Sequence, residues 1–144
     1  MTTGCIDTDA TVFVEPTVES AQLDATQSSL AVGLKGSFLV RLRLGSRAAD
    51  TSEVSLKGFS VIAGDQTIVD SLKVVAAPSF PVAVGVDTEV LVDVTFSETD
   101  NTIETSAYSI LCSGGGAQIV GVFDGSLRGG AIDATSDVIQ VTCN

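Results

Sequence analysis

The chain contains no histidine and no tryptophan, and its aromatic content is six Phe and one Tyr. The absence of His removes the usual general base, the usual activator of a Ser or Cys nucleophile and the commonest transition-metal ligand at once. The absence of Trp rules out the buried Trp beside a disulfide that marks antibody-type domains. Charge is also sparse: Asp, Glu, Lys and Arg make up 17% of the residues, against about 25% in an average soluble domain. Within that small share the balance is acidic, with 7 Lys and Arg against 18 Asp and Glu and a formal net charge of −11. No two basic residues are adjacent, so the field around the protein repels phosphate backbones and anionic headgroups, and nucleic acid is an unexpected partner. The apolar runs are only a few residues long, far short of a helical membrane span.

What remains is a hydrophobic and β-rich chain. Apolar residues account for 44% of its 144 positions, and mean hydropathy is +0.42, which suits a folded core and not a disordered segment. The length is that of one domain able to bury a sizeable core without a metal. No Pro/Ser-rich linker divides it, so the expected organisation is a tail or tether over residues 1–10 and a single domain over 11–144.

Period-two alternation recurs along the chain, whereas no 11-residue window sustains helical spacing. In Phe38–Leu44, Phe38, Val40, Leu42 and Leu44 share one face, while Leu39, Arg41 and Arg43 share the other. Glu89–Phe96 repeats the pattern, with Val90, Val92, Val94 and Phe96 opposed to Leu91, Asp93 and Thr95. Further strands are expected at Thr11–Val18, Val54–Ala63, Thr67–Ala76, Ala107–Cys112, Gln118–Phe123 and Val138–Cys143. Pro16 assigns the first of these to an edge or a bulge. Turn residues at Gly45-Ser46, Ala63-Gly64-Asp65, Pro78 with Pro81, Thr99-Asp100-Asn101, Gly114-Gly115-Gly116 and Gly129-Gly130 punctuate these segments. About eight short strands with no helix between them predict an all-β antiparallel β-sandwich, immunoglobulin-like in architecture.

Three cysteines in an exported protein suggest one pair and one residue with another fate. Cys112 and Cys143 end two of the expected β segments and form the natural pair, with two buried free thiols as the alternative. Carboxylates are the one remaining chemistry. A glycosidase pair needs a separation that sequence cannot display, and no aromatic cluster marks a sugar cleft. Calcium suits oxygen ligands on loops at a sandwich end. Its candidate ligands are Glu98, Asp100, Asn101 and Glu104, with Asp7 and Asp9 as a second group. Neither group has the EF-hand spacing, and a solvated acidic loop is the alternative. Gly114-Gly115-Gly116 lacks the Lys and Ser/Thr of a phosphate cradle and reads as a hairpin turn.

Thr3-Gly4-Cys5 resembles the end of a bacterial lipoprotein signal, although Thr2 stands where Leu is usual and no charged, apolar leader precedes it. With Ile110-Leu111-Cys112, Gly114-Gly115-Gly116, Val120-Gly121-Val122 and Val141-Thr142-Cys143, the chain resembles bacterial surface lipoproteins carrying an immunoglobulin-like sandwich. The likeness covers the two ends better than the middle. It implies export, lipidation of Cys5 as a membrane tether, a Cys112–Cys143 disulfide and no catalytic chemistry; for Cys5 the alternative reading is an ordinary thiol in a mobile tail. The expectation is therefore a non-catalytic extracytoplasmic module, secreted or at the cell surface, that binds a protein or serves as a scaffold. The alternative is a self-assembling subunit of a filament or coat whose strand Thr11–Val18 pairs with a neighbouring copy.

Overall fold

A computed structural model describes residues 12–27, 32–98, 103, 106–127 and 130–143. Its described residues form an all-β sandwich of ten strands and one short helix. The strands are β1 (Glu15–Gln27), β2 (Val32–Leu44), β3 (Ser52–Ala63), β4 (Gln66–Val69), β5 (Val74–Ala77), β6 (Val82–Val84), β7 (Thr88–Glu98), β8 (Gln118–Gly125), β9 (Gly130–Thr135) and β10 (Val141–Cys143). The helix, α1, is Ser106–Leu111. One sheet runs β10-β1-β2-β7-β5; the other runs β4-β3-β8-β9, with β6 also paired to β3.

The two segments with the clearest alternation lie side by side: β2 and β7 are antiparallel, with Phe38 opposite Val94, Val40 opposite Val92 and Leu42 opposite Val90. Their apolar faces turn inward, and Val40, Leu42, Val92 and Val94 are completely buried. From the facing sheet, Phe59 of β3 and Phe123 of β8 meet them. The Phe38 and Phe59 rings touch edge to face at 4.7 Å, and Phe59 contacts Phe123 at 5.6 Å. Phe96 extends the aromatic cluster from Phe38, at 6.2 Å, and Phe80 extends it from Phe123, at 5.9 Å. Five of the six Phe thus join the two layers, and edge-to-face pairs add stabilisation beyond the apolar area they bury.

Several segments differ from the sequence expectation: the first strand runs Glu15–Gln27 and not Thr11–Val18, β6 and β9 are strands outside the expected set, and three others change in kind. Ala107–Cys112 is not a strand: Ser106–Leu111 is helical, with Ala107 and Leu111, one turn apart, as its buried residues. Six residues are too few to tell a period of two from one of 3.6. Thr67–Ala76 is two strands in different sheets, because the chain leaves β4 at Asp70 and enters β5 at Val74. Gly114-Gly115-Gly116 joins α1 to β8 and is not a hairpin turn, and Gly114 and Gly116 take the positive φ values (96° and 75°) that glycine tolerates.

β1 pairs with β2 of its own chain from Glu15 opposite Arg43 to Gln27 opposite Val32. An extra residue between Glu19 and Gln22 forms a bulge, where Ser20 has φ 55°. On its other side β1 takes β10, in parallel, at Leu23–Ala25 alone. Pro16, opposite Leu42 of β2, therefore lies on a stretch of β1 that β10 does not reach, the edge position at which proline is tolerated.

Candidate functional surface

Two features stand out on the described surface: the outward face of the β10-β1-β2-β7-β5 sheet, and the C-terminal seam where the chain passes from one sheet to the other. The outward face follows from alternation, because residues between the buried positions of β1, β2 and β7 must point to solvent. Register then decides which of them meet. Thr17, Arg41 and Leu91 form one cross-strand row, and Glu15, Arg43 and Glu89 the next.

Arg41 reaches diagonally from its own row to both neighbouring ones, to Glu89 on one side and, on the other, to Glu19 in the row Glu19, Leu39 and Asp93. Its Nη2 and Nε donate to Glu19 Oε1 at 2.7 and 3.2 Å, and its Nη1 donates to Glu89 Oε2. Arg43 adds an ion pair with Asp87 at 3.4 Å. The hydrogen bond from Arg41 holds the Glu19 carboxyl below its ordinary pKa, against a smaller opposing effect of partial burial. The same hydrogen bonds to Glu19 and Glu89 raise the Arg41 guanidinium above its ordinary value. These groups are about one-third exposed, so solvent and salt weaken the attraction, and the network serves mainly to fix the three strands' polar face.

Beyond the bulge, the same face holds a groove of about 560 Å³ lined by Gln22, Asp24, Lys35, Ser37, Thr95 and Ser97, with Lys73 and Val75 also on its wall. Val75 is 71% exposed. Asp24 lies opposite Lys35 in register, and Ser97 lies opposite Lys35 on its other side. Alternating hydroxyls, amide and charges of both signs can hydrogen-bond a polar or extended ligand.

The C-terminal seam is built by residues 136–143. Ser136 is 4% exposed; its N–H donates to Ile119 O at 2.8 Å, and its Oγ accepts from Ile119 N at 2.9 Å. Ala117 and Ile139 exchange backbone hydrogen bonds of 2.8 and 2.7 Å. After Ile139 the chain crosses to the other sheet and pairs with β1 as β10. A Cys112–Cys143 disulfide, with Cα atoms 6.1 Å apart, ties this last strand to the residue following α1.

Of the proposed calcium ligands, Glu98 ends β7 and is 4% exposed. Its Oε2 accepts a hydrogen bond from Lys73 N at 3.3 Å. Asp100, Asn101 and Glu104 lie outside the described residues, as do Asp7, Asp9 and Cys5. Among the described residues no three acidic or Cys side chains form a group that could hold a metal ion. Sequence reading did not single out the Arg41 network or the groove. A signal for the network was present, since Arg41 and Glu89 stand on the two most regular strands, but it required knowing that those strands are neighbours. No family model, no curated protein and no solved structure matches the chain.

Proposed function

We propose that the protein is a non-catalytic β-sandwich module that works outside the cytoplasm, binding a protein partner or serving as a surface scaffold. The observation that carries this reading is the Cys112–Cys143 disulfide at the C-terminal seam, since structural disulfides persist in oxidising compartments and are rare in reducing ones. The lack of His and the net charge of −11 add to it, because they disfavour the commonest acid–base sites and nucleic-acid partners. The grooved outward face offers the contact surface, with polar groups of both signs and the exposed Val75 beside them. Lipidation at Cys5 would tether such a module to a membrane without any further hydrophobic segment.

The test is the solution mass of the full chain over a wide concentration range, compared with a chain lacking residues 1–11. Deleting 1–18 would be a poor comparison, because it removes Val14 and Val18 from the core and cuts the β1–β2 pairing. A constant monomer in both forms is expected. Growth into multimers that depends on residues 1–11 would replace this reading with that of a self-assembling subunit.

A further inference from the structure

We propose that the Cys112–Cys143 disulfide is a redox latch: its reduction by a dithiol frees β10 from β1 while the rest of the sandwich stays folded. The two ends of the bond are held very differently. Cys112 follows α1, whose Ala107 and Leu111 are buried in the core, and its N–H donates to Tyr108 O at 2.9 Å. Cys143 ends a three-residue strand in which Val141 is half-buried and Thr142 and Cys143 are exposed. Among the described residues, three register pairs, Leu23 with Val141, Asp24 with Thr142 and Ala25 with Cys143, together with the packing of half-buried Val141 against the core, otherwise hold this strand to the sheet. Parallel pairing is also slightly weaker per residue than the antiparallel pairing elsewhere. So little buried apolar surface makes local opening inexpensive once the covalent tie is gone.

Release should stop at a defined place. Ile139 is fixed by its reciprocal bonds with Ala117, and Ser136 by its bonds to Ile119. Gln140 is the residue between the anchored seam and the strand, and the hinge falls there. β9 and β8 keep their own pairing from Val120 opposite Thr135 to Gly125 opposite Gly130. Opening therefore uncovers the backbone edge of β1 at Leu23–Ala25 without parting the two sheets.

The exchange balances with the dithiol alone. One thiolate of the reductant attacks the exposed Cys143 sulfur and forms a mixed disulfide, and Cys112 leaves as a thiolate that takes up a proton. The second thiol of the reductant then closes on the first, releasing Cys143 as a thiol and leaving the reductant as a cyclic disulfide.

The test is amide hydrogen exchange on the full chain carrying Cys5→Ser, which prevents mixed disulfides with the third cysteine. It is run with and without dithiothreitol, and repeated on the chain that also carries Cys112→Ala and Cys143→Ala. On reduction, Val141–Cys143 should exchange at close to the rate of an unstructured peptide, while Val40 and Val92 in the β2–β7 core, although faster than in the oxidised chain because global stability falls, should stay more than about tenfold slower than that rate. The double alanine chain should show the same pattern without reductant. Unchanged protection at Val141–Cys143 would overturn the latch. So would loss of protection at the C-terminus and in the β2–β7 core together, because the disulfide would then hold the whole fold and not one strand.

Discussion

Gly58 and Gly121 lie beside each other on paired strands, since Gly58 faces Val122 and Phe59 faces Gly121. The same substitution, Gly→Ala, should nevertheless move stability in opposite directions. A Cβ at Gly121 would point into the core, 2.7 Å from Phe59 Cε1 and 2.8 Å from Phe123 Cε1. Both rings are essentially inaccessible to solvent, so each must retreat by about 0.7 Å to regain ordinary contact within a close-packed interior. Overpacking of this kind costs about 1–3 kcal/mol. The reduced freedom of the unfolded chain returns about 0.4–1 kcal/mol. The net loss is about 1–2 kcal/mol, and for a chain of this length that lowers Tm by roughly 3–7 °C. At Gly58 an added Cβ would meet nothing within 4 Å, and φ there is not in the left-handed range. Only the unfolded-state gain remains, so Tm should rise by roughly 1–3 °C. Calorimetry on the two single variants and the parent reads both shifts, and urea titration checks that the m-value is unchanged. Equal shifts of the same sign, or a Gly121→Ala chain as stable as the parent, would refute the placement of Gly121 beneath the Phe59 and Phe123 rings.

Three further outcomes are expected. Reducing the disulfide, which spans 31 positions, returns to the unfolded state conformational entropy equivalent to about 3.7 kcal/mol, so Tm should fall by roughly 12 °C in a melt with dithiothreitol. Ser52 is completely buried, and its Oγ has no hydrogen-bond partner among the described residues, so Ser52→Ala should be neutral or stabilising by up to about 1 kcal/mol in urea unfolding; a loss above that would expose a missing partner. Glu19 has its carboxyl pKa lowered in the folded state by the Arg41 hydrogen bond. Its contribution is therefore present above the ordinary carboxyl range and lost as pH falls through the depressed folded value. A stability–pH series on Glu19→Gln should be flatter than the parent's below about pH 4.5, and identical slopes would contradict the pairing.

Much of the fold was legible because alternation is strongest where one face of a strand is buried. Phe38–Leu44, Val54–Ala63, Glu89–Phe96 and Gln118–Phe123 all lie within strands of the structure. Where both faces are mixed or the segment is short, periodicity carried too little signal. The strand β9 went unread because Gly130-Ala131-Ile132-Asp133-Ala134-Thr135 offers few large apolar residues, and it is a strand mainly because β8 pairs with it. The break at Asp70–Lys73 is a change of sheet, and its backbone link, Leu72 N to Phe59 O at 2.8 Å, reaches across to β3. Such non-local pairing leaves no local pattern to read. The candidate surface follows the same division. Cys112 and Cys143 could be paired from the cysteine count and their positions at segment ends. The groove needed cross-strand register, because Gln22, Ser37 and Thr95 come together only when three strands are aligned.

The most direct test of the proposed extracytoplasmic role is the thiol state of the protein in its native setting. Free thiols are blocked with an alkylating reagent at the moment of lysis, and peptides are then mapped by mass spectrometry under non-reducing conditions. The proposal predicts an unalkylated peptide pair joined through Cys112 and Cys143. Recovery of the whole population with both cysteines alkylated and no linked pair would contradict the proposed role, whereas a linked form accompanied by an alkylated one is what an opening latch gives.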